Sequence, residues 1–251
     1  MQVGLTNCWL TVGGSIALLC SFGVAQQTSH SETSPLAAII EGMEQAQAGL
    51  SSQVPYQMIR EYRLSSSNDS KANSDVIAEV DFSPPASKEY RIQKSSGSDR
   101  GQQIVKRVLD HEVESGSKGT QARAVLGRQN YDFTYLGEAV LGGRPCYRLG
   151  LKPRRNEKDL IAGEAWVDQQ SFLVHQVEGD LARTPSWWLK KVRVKLEFGD
   201  LDGTWLQTAM EAIADVRIVG PHTLTSRILD YRGANEVALT TTRTPGANRK
   251  R

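Results

Sequence analysis

His30, His111, His175 and His222 are the only histidines in the chain, and none has a second histidine or a cysteine at the spacing of a zinc or iron site. Glu164 and Asp168 share one face of an alternating stretch and form the best candidate for a carboxylate acid–base pair, with His175 on the adjoining strand as its candidate base. Solvated strand carboxylates and packed histidines are much commoner than acid–base groups, so that reading is subordinate. Gly13-Gly14 and Gly142-Gly143 fall in the N-terminal leader and in a hairpin turn, so neither is a phosphate loop, and no G-x-S-x-G elbow is present. The adjacent pair Trp187-Trp188, in the loop Ala182 to Leu189, leaves two readings open. One indole plugs an end of the sheet, or the pair rings the mouth of a lipid-binding cavity or lies at a membrane surface.

These residues sit in a chain of 251 residues, 39% hydrophobic and 23% charged, with apolar material for one sizeable core. Thirty basic against 28 acidic residues, a formal +2, exclude a nucleic-acid binder that works through bulk charge. Three cysteines exclude a disulfide framework. Met1 to Ala25 holds no charged side chain, and its apolar run Ile16 to Val24 ends in small residues before a polar stretch. That pattern predicts a secretory signal peptide over 1–25 and a periplasmic location. An uncleaved anchor is disfavoured by Thr11, Gly13, Gly14 and Ser15, which interrupt the run, and acylation at Cys20 by Leu19 before it. Cleavage at Ala25 leaves only Cys146, read as a small buried apolar residue in a strand.

The elements follow from periodicity. Ser34-Pro35 opens a helix whose Leu36, Ile39, Ile40 and Met43 recur at helical spacing, and Gly49 stops it. Strands are predicted around Tyr56–Leu64, Val76–Phe82 and Glu89–Gln93. A second helix covers about Gly101 to Glu114, and a short one runs from Gln121 to Leu126. Seven strands follow: Tyr131–Val140, Cys146–Leu151, Ile161–Asp168, Phe172–Glu178, Val192–Phe198, Trp205–Val219 and Thr223–Tyr231. Their short connections demand antiparallel neighbours. Ten strands in one sheet twist and curl. The expected fold class is α+β: a strongly curved antiparallel sheet, a half-open barrel, with helices covering its concave face. The domain is expected over 34–232, with 233–251 a disordered tail ending in Arg249-Lys250-Arg251.

Several segments carry a resemblance. They are Tyr56-Gln57-Met58-Ile59-Arg60-Glu61-Tyr62, Asn130 to Gly137, Gly143 to Leu149, Gly163 to Asp168 with Phe172, and Gly203-Thr204-Trp205-Leu206. Together with the leader and the helical lid, they make the chain resemble the LolA/LolB-like outer membrane lipoprotein-sorting superfamily from Leu36 to Arg232. The resemblance implies a LolA-like sheet whose apolar concave face holds lipoprotein acyl chains or phospholipid. It implies a monomeric, non-enzymatic periplasmic carrier with no cofactor, and an inner-membrane transporter or outer-membrane acceptor protein as partner. A sensor of envelope lipids or stress, similar to the RseB/MucB branch, is the alternative. On these expectations Tyr62, Ile92, Phe133, Leu149, Trp166, Leu196, Phe198, Met210 and Ile228 are the candidate lipid-cavity residues, with Trp187, Trp188 and Arg60 at its mouth.

Overall fold

A computed structural model describes residues 35–50, 54–66, 73–84, 87–115, 126–218 and 220–233. The expected leader over 1–25, residues 121–125 of the short helix, and the tail beyond 233 lie outside them. Pro35, with φ already suited to a first helical turn, starts α1 (Pro35–Gly49), and Ile39, Ile40 and Met43 form its buried stripe. The second helix, α2 (Asp99–Ser115), is capped by the Ser98 hydroxyl, which accepts from the Gly101 amide at 3.0 Å. Val105 and Leu109, one turn apart, are its most buried side chains.

Ten strands among the described residues form one sheet. Three precede α2: β1 (Tyr56–Ser66), β2 (Ser74–Ser83) and β3 (Ser87–Gly97). Seven follow it: β4 (Tyr131–Leu141), β5 (Arg144–Pro153), β6 (Ile161–Asp168), β7 (Val174–Leu181), β8 (Leu189–Leu201), β9 (Thr204–Val216) and β10 (Gly220–Arg232). The spatial order is β3-β2-β1-β10-β9-β8-β7-β6-β5-β4, with antiparallel pairing throughout. Thus β4 to β10 is a continuous meander, and the first strand joins the last. The edges β3 and β4 do not pair with each other, so the sheet stays open. Register shifts interrupt β1, β2, β4, β6 and β8, each adding local bend and twist.

Both helices lie on one face. Ile39, Ile40 and Met43 of α1 pack over Leu149, Val167, Val177 and Val194. Val105 and Leu109 of α2 pack over Tyr62, Leu64, Val76, Ala78 and Leu224. Ala212, directly opposite Val194, touches both clusters, which puts the two helices on the same side. The expected architecture, an open curved antiparallel sheet with helices on its inner face, is the one observed. Two close approaches set its packing. Gly163 faces Gly179 across β6 and β7, where a Cβ on Gly163 would collide with the Glu178 carbonyl oxygen. A Cβ on Gly42 of α1 would lie 2.7 Å from the Phe172 ring.

Candidate functional site: an apolar groove beside a buried arginine

The inner positions of β9 read Met210, Ala212, Ala214 and Val216, and the two alanines face Val194 and Val192 of β8. Methyl side chains at the middle of the sheet leave volume that larger residues would fill. A groove of 490 Å³ opens there. Its floor is Val192, Ala212, Ala214, Val216, Leu224 and Leu64, with His222 at one side. One wall is α2, which presents Ile104 and Val108 to the apolar floor and Arg100, Gln103 and Arg107 at the rim. The other wall is the β7–β8 loop, with Pro185, Trp187, Trp188 and Leu189.

That loop is tied to the β9–β10 turn. The Arg217 amide donates to the Trp188 carbonyl at 2.9 Å, and Arg217 Nε donates to the Trp187 carbonyl at 3.0 Å. Trp187 is 84% exposed, and Ile218 in the adjoining turn is fully exposed at φ 80°, a left-handed conformation costly for a β-branched residue. One end of the groove therefore carries unpaired apolar surface with Arg217 beside it.

A polar cluster lies four residues along β1 from Leu64. Arg60 is 2% exposed, on the inner face with Tyr62. Its Nη1 stands 3.8 Å from Glu112 Oε2 on α2, and the Tyr62 hydroxyl donates to that oxygen at 3.0 Å. Among the described residues, Arg60 Nε and Nη2, Glu112 Oε1 and the Tyr231 hydroxyl are buried without a hydrogen-bond partner. Burial pushes the Tyr56 phenol up to about 12, against the pull of Arg60, and raises Tyr62 further, with Glu112 adding to the rise. The half-buried Lys88 amine is lowered by burial, which outweighs the opposing effect of Glu112.

Of the residues expected to line a cavity, Trp187 and Trp188 border the groove, whereas the nine strand residues do not. Leu149 is fully buried, and Phe133, Leu196 and Phe198 pack around the same cluster beneath α1. Tyr62 and Met210 pack in the cluster beneath α2, and Ile228 packs at the far end of β1 and β2. Three placements differ from the expectation. Trp166 lies between buried Ala165 and Val167, so alternation sends it to the outer face opposite Arg148. Ile92 is 41% exposed because it sits on the edge strand β3. Arg60 is not at the mouth but buried beneath α2. None of the floor residues, nor Ile104 and Val108 of α2, was among those expected. The alternating alanines of β9 were the available signal.

The candidate acid–base residues lie on the outer face, Glu164 apart from Asp168 and His175. Glu164 pairs with Arg148 at 3.2 Å. Asp168 Oδ1 accepts from the Gln170 and Ser171 amides at 2.9 and 2.8 Å, which organises the β6–β7 turn. His175 Nε2 is 3.8 Å from Asp168 Oδ2 and 3.3 Å from Arg144 Nη1, and its ring meets Trp205 edge-on at 4.8 Å. Cys146 is buried, and burial raises its thiol pKa, opposite to what a nucleophile needs.

An open ten-stranded antiparallel sheet with two helices on one face is the arrangement the LolA/LolB resemblance implies. Several solved structures align with most of the chain at low identity. A LolA superfamily protein from Nitrosomonas europaea is 14% identical, with 78% of this chain and 91% of that one covered at a TM-score of 0.41. A DUF1329 family protein from Desulfovibrio piger is 14% identical, covering 79% and 93% at 0.42. A domain described as an outer membrane lipoprotein-sorting protein, from Vibrio parahaemolyticus, is 12% identical, covering 77% and 91% at 0.38. No family model and no curated protein matches the sequence.

Proposed function

We propose that this chain is a non-enzymatic lipid carrier of the bacterial envelope that shelters an acyl chain, of a lipoprotein or a phospholipid, in the groove between α2 and β8–β10. The observation that carries the reading is the groove itself, 490 Å³ floored by aliphatic side chains and flanked by two tryptophans. Its volume falls in the range of about 300–1,000 Å³ that suits small ligands. Burial contributes about 0.8 kcal/mol per methylene, so a long chain in water faces a penalty on the order of 10 kcal/mol. A carrier must offset most of that penalty without exceeding what release allows. A groove open along one side, walled by a single helix and a loop, suits such a balance better than a closed core. Trp187 and Ile218, exposed at the groove's end beside Arg217, suit transfer at a bilayer surface. Export through the 1–25 leader, an inner-membrane donor and an outer-membrane acceptor complete the proposal.

The test is native mass spectrometry, followed by organic extraction, on protein expressed with its leader and recovered from the periplasm. The carrier reading expects a co-purifying mass that extracts as a phospholipid or an acylated peptide, on a chain beginning at Gln26. A protein recovered empty that also refuses added lipid would overturn it and leave a protein–protein module as the better account.

A further inference from the structure

The hydrogen-bonding capacity of Arg60 is only partly used, although its guanidinium lies 5.9 Å from the centroid of the Tyr62 ring. Nη1 faces Glu112 at 3.8 Å, whereas Nε and Nη2 are buried and have no hydrogen-bond partner among the described residues. Those two groups are not an arbitrary remainder. The Nε–H and the Nη2–H beside it point the same way and make one side of the planar fork that matches the two oxygens of a carboxylate or phosphate. A buried cation with unmade hydrogen bonds is costly, and each unmade bond represents a full desolvation penalty.

The surroundings favour an anion. The Tyr231 hydroxyl, on the neighbouring strand β10, is likewise buried without a hydrogen-bond partner among the described residues. Lys88, opposite Phe82 on the edge strand β3, is a second cation at this end of the sheet. The carboxylate that faces Arg60 among the described residues, Glu112, is already bonded to Tyr62. Ala78, beside Arg60 on β2, contributes only a methyl group there. We propose that Arg60, Lys88 and the Tyr231 hydroxyl form an oxyanion subsite for the carboxylate or phosphate end of an amphiphilic ligand, received by the Nε/Nη2 edge of Arg60. The inference rests on the carrier reading only for the ligand's apolar part, since the anion subsite stands on the unpaired fork itself.

The experiment follows the Arg60 Nε–H resonance by ¹⁵N NMR, assigned by its loss in Arg60→Lys, during titration of the full chain with decanoate, lysophosphatidate and decanol. Expected are a saturable shift of that resonance with at least one of the two anions and affinity at least tenfold above decanol's. Tyr231→Phe and Lys88→Met, with thermal unfolding unchanged, should each reduce that preference several-fold. The tighter of the two anions identifies the source as a free fatty acid or a phosphate headgroup. Equal binding of decanol and both anions, or saturation without a shift at Arg60, would overturn the subsite. If no amphiphile binds, the carrier reading fails by itself. Acetate and inorganic phosphate then decide the subsite: a saturable Arg60 shift upholds it, and no shift removes it.

Discussion

Glu112 joins α2 to the sheet through two buried partners, the Tyr62 hydroxyl at 3.0 Å and Arg60 Nη1 at 3.8 Å. Removing the carboxylate strands both, so Glu112→Ala should destabilise the fold by about 3–5 kcal/mol in urea unfolding, the cost of breaking a buried pair from one side. Glu112→Gln keeps an acceptor for Tyr62 and should cost clearly less; equal losses would contradict this account. His175 makes a different prediction. Burial first, and Arg144 second, hold its imidazole below 6.5, against the pull of Asp168 and a hydrogen bond to the Phe198 backbone. The unfolded chain therefore gains this proton at a higher pH than the folded one. The His175 contribution should fall as pH drops through 6.5 towards the folded value, then level off. His175→Gln should flatten that limb in urea midpoints between pH 7.5 and 5.5, and an unchanged slope would contradict the assignment. Asp168 acts in a separate window. Burial raises its pKa, but the Ser171 and Gln170 amides outweigh it and hold the carboxyl below 3.8, so its contribution is lost only in stronger acid.

At the scale of elements, two glycines set distances that no other residue permits. Phe172 packs against α1 where Gly42 has no side chain, and Gly42→Ala should lower stability by about 1–3 kcal/mol through overpacking. Gly163→Ala meets backbone rather than a movable ring, so it should cost more than Gly42→Ala in thermal unfolding; the reverse order would contradict the packing described. Most elements were legible because period alone distinguishes 35–49 and 99–115 from the strands. What period does not reveal is which face of a strand turns inward. Trp166 is the largest side chain of β6, yet Ala165 and Val167 hold the inner positions. Bulges are hidden too, since one inserted residue looks like ordinary alternation until the partner strand is known. Phe172 reads as the start of a strand but sits in the turn before β7 at φ 56°.

For the molecule as a whole, the decisive pairing is β1 with β10, which joins Gln57 to Arg232 and turns a hairpin series and a meander into one sheet. Short turns made the meander readable, but nothing local to Tyr56–Ser66 announces a partner near the other end of the chain. The groove depends on the same pairing, because Leu64 of β1 and Leu224 of β10 share its floor. Its location escaped a sequence reading that sought large apolar side chains, since volume is left where side chains are small. Filling that volume tests the central claim most directly. A fluorescent fatty acid titrated into the wild-type chain and into Ala212→Leu/Ala214→Leu compares one fold with and without its groove. The account predicts saturable binding to the wild type, and at least a tenfold loss in a double variant whose circular dichroism and unfolding midpoint are preserved. Equal affinity in the two folded proteins would contradict it.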